Sequence, residues 1–84
     1  MNIESIKEII KNNLRTENIF LNSEDNVHYK AIIVSNEFEG LTLINRQRKV
    51  NQVLKSFILE GQIHAISLKT YTVSEWDKIK FKSL

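Results

Sequence analysis

The spacing of apolar residues changes several times along the chain, and each change marks an element. Between Asn2 and Leu14, Ile3, Ile6, Ile10 and Leu14 recur about one helical turn apart with Ile9 beside them. Glu4, Lys7, Glu8 and Lys11 fall on the other side, which is the pattern of an amphipathic helix. Asn18 to Leu21 is short and apolar enough for a strand. Asn22-Ser23-Glu24-Asp25-Asn26 then reads as a turn, because these side chains bond readily to nearby backbone. His28 to Ser35, rich in Ile and Val, reads as the second strand of a hairpin. Glu37-Phe38-Glu39-Gly40 breaks it, with Gly40 at a position suited to positive φ.

From Leu43 to about Leu59 the helical period returns. Val50, Val53, Leu54 and Phe57 share a face, and Leu43 projects onto it. Gly61 stands where such a helix needs a left-handed C-terminal residue. Ile63 to Tyr71 follows as a third strand. Thr72-Val73-Ser74-Glu75 is a capping box, and Tyr71 and Trp76 occupy the positions of a hydrophobic staple. A short basic helix carrying Lys78, Lys80 and Lys82 closes the chain. The order is α-β-β-α-β-α. A crossover through the long helix favours parallel pairing of the second and third strands. The expected fold is α+β, a mixed three-stranded sheet with helices packed on one face.

Composition narrows the function more than it changes this picture. Eighty-four residues make one domain, 1–84, since two cores of half that size would not hold together unstapled. There is no cysteine, hence no disulfide and no thiolate metal site within the chain. No apolar run approaches the ~18 residues that span a bilayer, and the N-terminus lacks the basic start and apolar run of a signal peptide. The default expectation is a cytoplasmic protein without a membrane partner. Net charge is +2 but uneven: residues 1–40 carry four Lys/Arg against seven Asp/Glu, and residues 41–84 eight against three. Such asymmetry marks either a surface for nucleic acid or an acidic partner, or ordinary scatter in a small chain.

Catalytic arrangements are missing. None of the serines lies in a nucleophile-elbow context, and two glycines, Gly40 and Gly61, cannot build a phosphate loop. The expectation is that the protein is not an enzyme. His28 opens the second strand and His64 the third, so parallel pairing brings the two histidines to one end of the sheet. Along the third strand His64 shares its side with Ile66 and Leu68, which suits a satisfied histidine at the core's rim. Alternatively, two imidazoles without cysteine form half of a tetrahedral site, and a metal or cluster would need further ligands from another molecule. A third candidate is the long helix. Arg48, Gln52 and Lys55, with Asn45, lie opposite its apolar face, Arg46 and Lys49 flank that face, and no acidic residue falls between Leu41 and Lys55. Such a surface is either simply solvated or suited to phosphates and base edges.

Taken together, these segments resemble the BolA family. The resemblance is carried by Phe38-Glu39-Gly40-Leu41, by Asn45-Arg46-Gln47-Arg48-Lys49-Val50, by Ile63-His64-Ala65-Ile66-Ser67-Leu68-Lys69-Thr70-Tyr71-Thr72, and by Glu75-Trp76. His28-Tyr29 and Ala31-Ile32-Ile33-Val34-Ser35 also fit, so the match is strongest over residues 27–76. It implies a class II KH-like fold, in agreement with the order above. It also implies a partner, a monothiol glutaredoxin, with which the protein shares a 2Fe–2S cluster in iron–sulfur trafficking or iron-responsive regulation. The cluster would be held only in complex with glutaredoxin and glutathione, and none is expected on this chain alone, as a monomer or weak homodimer. The family's histidine in the Ile/Val-His-Ala strand corresponds to His64, the implied ligand. Many members carry a second, His or Cys, in the hairpin loop, but residues 22–27 here hold neither, which leaves His28 as the substitute. The family's Arg-His-Arg triplet reads Arg46-Gln47-Arg48, and the proline usual after the capping threonine is Val73. The alternative function is nucleic-acid binding as a stress-responsive transcriptional regulator, with DNA met by Arg46, Arg48, Lys49, Gln52 and Lys55. Against it stand the missing G-x-x-G loop and a net charge of only +2.

Overall fold

The computed structural model describes residues 2–80, so Lys82 of the basic tail lies outside the described residues. The elements are α1 (Ile3–Asn13), β1 (Asn18–Asn22), β2 (His28–Val34), a single 3-10 turn (Asn36–Phe38), α2 (Leu43–Leu59), β3 (Ala65–Tyr71) and α3 (Val73–Ile79). The sheet order is β1-β2-β3, with β1 antiparallel and β3 parallel to the central strand, so the sheet is mixed as expected. Each helix begins on the residue type that binds its free N–H groups: Asn2 accepts from Ser5 N–H, Thr42 from Asn45 N–H, and Thr72 from Glu75 N–H. The capping box at Thr72 and Glu75 is complete, and the Tyr71 and Trp76 rings lie 5.6 Å apart. Gly40 and Gly61 both adopt positive φ, at 76° and 78°, as their places after a turn and a helix require.

Both long helices lie over one side of the sheet. Ile6, Ile10 and Leu14 follow α1, Val50 and Leu54 come from α2, and Tyr29, Ala31 and Ile33 from alternate positions of β2. Phe38 of the 3-10 turn and Ile63 close the ends of this core, and both are almost fully buried. Burial of a side chain of this size stabilises by roughly 1.5–3 kcal/mol, against about 0–1 for an exposed ion pair. The apolar layer therefore holds the fold, and surface ion pairs contribute little to it.

Two expectations fail at element ends. Leu43 is 65% exposed, although the wheel places it on the buried face of α2. Arg46, one turn further on, takes the inward position instead: its guanidinium is buried and donates to the Leu41 and Thr70 carbonyls and to Glu75. The third strand also starts two residues late. The Gln62 and Ile63 N–H groups still donate to the Phe57 carbonyl, which holds the chain against the end of α2. The His64 and Ala65 N–H groups then both donate to Val27 O, and only after that does regular pairing begin. The strand's alternation does not reach back past this bend. Ile63 enters the core and His64 is exposed, so His64 is not a satisfied histidine of the core's rim, although it lines one hollow with Ile66.

Candidate functional site

The register of β2 against β3 pairs His28 with Ala65. That places the His64 side chain next to the His28 side chain, with ring centroids 5.9 Å apart in a T-shaped arrangement. Both histidines are exposed, and no residue of the core supplies them with a partner role. They sit on a ridge between two hollows that share Ala65.

The first hollow, about 380 Å³, runs under the β1–β2 loop past Ser23, Glu24, Asp25 and His28. The loop is a polar knot. Asn26 takes φ of 60°, a conformation Asn tolerates. Its N–H donates to Ser23 Oγ, which itself donates to the His28 carbonyl at 2.6 Å. Asp25 Oδ1 accepts the N–H groups of Val27 and His28, at 3.0 and 2.8 Å, and Asp25 Oδ2 lies 2.6 Å from His28 Nδ1. The His28 N–H, then its ring, then the Val27 N–H hold the Asp25 carboxyl well below the usual carboxylate range. A neutral His28 bound this way keeps its proton on Nδ1 and presents Nε2. In the sequence Asp25 reads only as a turn residue, and the signal for its contact is its position three residues before a histidine. Asp25→Ala is expected to shift neutral His28 to the Nε2–H tautomer that predominates in free imidazole, visible in the nitrogen-15 chemical shifts of its ring. Unchanged shifts would show that the carboxylate does not set the tautomer.

The second hollow, about 550 Å³, lies between His64 and the C-terminal half of α2 and is lined by Arg48, Gln52, Lys55, Ile58 and Leu59. Leu59 is 75% exposed, and among the described residues no carboxylate lines the hollow. Of the five residues considered for nucleic acid, Arg48, Gln52 and Lys55 gather here. Arg46 does not: buried against Thr70 and Glu75, it cannot reach a phosphate, which corrects its assignment to the basic face. Lys49 turns the other way and pairs with Glu37 at 3.6 Å.

The chain matches the model of the BolA-like protein family over residues 5–75. It belongs to the BolA family. The match takes in most of α1, beyond the segments in which the resemblance is most visible. Among relatives, the acid stress protein IbaG of Escherichia coli is 32% identical over 90% of this chain and 89% of its own. The DNA-binding transcriptional regulator BolA of Vibrio cholerae is 41% identical over 67% of this chain and 52% of its own. In three dimensions a bol-like protein from Babesia bovis superposes with a TM-score of 0.80, at 30% identity, over 95% of this chain and 94% of that one. The fold agrees with the expectation in helix–strand order and sheet type.

Could this site hold a metal or cluster by itself? Among the described residues no group of three or more His, Cys, Asp or Glu is placed to hold a metal ion. Two adjacent, exposed imidazoles fit one half of a four-coordinate iron's ligands and no more. No helix among the described residues is long and apolar enough to cross a membrane.

Proposed function

We propose that this BolA-family protein binds a monothiol glutaredoxin and shares a 2Fe–2S cluster with it, in iron–sulfur trafficking or iron-responsive regulation. The observation that carries the proposal is the His28–His64 pair, side by side at 5.9 Å on an exposed ridge of a chain that has no thiolate. His64 and His28 would hold one iron, and the partner's cysteine with a glutathione thiolate the other. Imidazole in place of thiolate gives a cluster a higher potential, which suits a transferable or sensing cluster. Asp25 would keep His28 in the tautomer with Nε2 free. No step here needs the protein to be an enzyme; its own residues bind and orient.

The hollow beside His64 supports a docked partner. Ile58 and Leu59 form its apolar side, and Arg48 and Lys55 its basic side. Leu59→Asp is expected to weaken the complex with glutaredoxin roughly ten-fold or more by calorimetry. Leu43→Asp, also exposed but at the opposite end of α2, should leave it unchanged. No complex at micromolar concentrations, or equal losses in the two variants, would contradict the proposal. The second reading, nucleic-acid binding, keeps one specific support: Arg48, Gln52 and Lys55 share an exposed hollow that no acidic residue among the described residues lines. Both readings use that hollow, so glutaredoxin and DNA would compete for it.

A further inference from the structure

The side of the sheet away from α1 and α2 carries a different surface. Alternation places Phe20 and Asn22 of β1, Lys30 and Ile32 of β2, and Ser67 and Lys69 of β3 there. The register aligns them in two rows, Asn22-Lys30-Ser67 and Phe20-Ile32-Lys69. Together with Lys7 they line a shallow hollow of about 570 Å³ that no acidic residue among the described residues enters. Phe20 is 50% exposed, and its ring lies 5.7 Å from Trp76, which in turn lies 5.6 Å from Tyr71. Half-exposed aromatic carbon is thus set beside three ammonium groups, on a sheet face that α1 and α2 leave open and that Trp76 of α3 covers at one end.

We propose that this sheet face binds single-stranded nucleic acid, one base stacking on Phe20 and the flanking phosphates meeting Lys30, Lys69 and Lys7. The physical case is the pairing of the two features. Bare charge would attract any polyanion, but an exposed ring on a sheet gives a flat base a partner that a carboxylate side chain cannot use. Lys30 and Lys69 are diagonal neighbours on adjacent strands, roughly 7–8 Å apart at their origins, a spacing that lets extended single-stranded backbone run across the strands. Duplex bases are stacked on each other and cannot reach the ring. The site adjoins the hollow under the β1–β2 loop, with which it shares Asn22, Lys30 and Ser67, and has no residue in common with the hollow beside α2.

Trp76 is the only tryptophan, and its place beside Phe20 makes it a reporter. Titrating the whole protein with a short oligothymidine should quench its fluorescence. Three neutralised phosphates predict a salt slope of about −2, hence affinity falling roughly 15-fold between about 50 and 200 mM salt. Phe20→Ala should weaken binding about five-fold or more, and Phe20→Leu, which keeps the apolar body, should lose most of the same amount. Lys30→Glu with Lys69→Glu should abolish it, while Arg48→Glu with Lys55→Glu should have a much smaller effect. These side chains lie outside the core, so the variants are expected to melt like the parent. Absence of quenching at low salt overturns the proposal. So do equal binding of a polyglutamate peptide with indifference to both Phe20 variants, which marks a site for acidic protein, and loss confined to the α2 reversals.

Discussion

Arg46→Ala is expected to destabilise the protein by about 2–3 kcal/mol, the largest loss for any charged residue of the described chain. Arg46 is 6% exposed, and its guanidinium makes a two-pronged contact with Glu75, at 2.6 and 3.2 Å, besides donating to two carbonyls. Breaking a buried pair by removing one partner costs roughly 3–5 kcal/mol. The Glu75 side chain is 45% exposed and can be rehydrated, which brings the figure down. In a domain of this size the loss corresponds to a melting point lower by roughly 10–20 °C. Arg46→Lys keeps the charge but not the fork, and should recover only part of it. The same pair leaves a signature in pH. Arg46, then the Thr72 N–H, holds the Glu75 carboxyl at about 2, below its ordinary 4.5. A carboxyl depressed in the folded state stabilises fully above its unfolded pKa and loses that contribution as pH falls through the folded one. The stability gap between the parent and Glu75→Gln should therefore be widest above pH 4.5 and close toward pH 2. A gap that does not change with pH would mean that the ion pair adds nothing.

Periodicity carried most of the fold, because α1, the strands and α2 are each buried on one side and alternate accordingly. Caps and glycines located the ends: Thr72 and Glu75, Gly40 and Gly61 all behave as their side chains require. What patterning could not convey was a polar residue on an apolar face. Arg46 looks like a surface cation in one dimension, since its partners Thr70 and Glu75 are far along the chain. His64 failed for a related reason. The carbonyls of Phe57 and Val27 bend the chain just before β3, and hydrogen bonds of that kind leave no mark on hydropathy. Parallel pairing of β2 with β3 nevertheless followed from connectivity, and with it the meeting of His28 and His64. The apolar Leu59 beside His64 and the Lys-lined sheet face became visible only once the register was known, whereas Asp25 already stands three residues before His28 in the sequence.

The other large effect concerns His64. If the two imidazoles hold one iron of a shared cluster, removing His64 leaves that iron with a single imidazole from this chain. Among the described residues the adjoining hollows offer Glu24, Asp25 and Lys55 but no further imidazole or thiolate. A loss that is nearly all-or-none is expected, rather than a graded weakening. His28→Ala should also be severe, and Asp25→Ala milder, since the latter leaves both rings in place and alters only how one is presented.

Reconstituting a 2Fe–2S cluster on a mixture of this protein, a monothiol glutaredoxin and glutathione, and recording its visible circular dichroism, distinguishes the possibilities. The parent protein should give a spectrum different from that of the glutaredoxin-bound cluster alone, and His64→Ala should return it to the glutaredoxin form. A mixture whose spectrum matches glutaredoxin alone, or a distinct spectrum that survives His64→Ala, would contradict shared ligation by this chain.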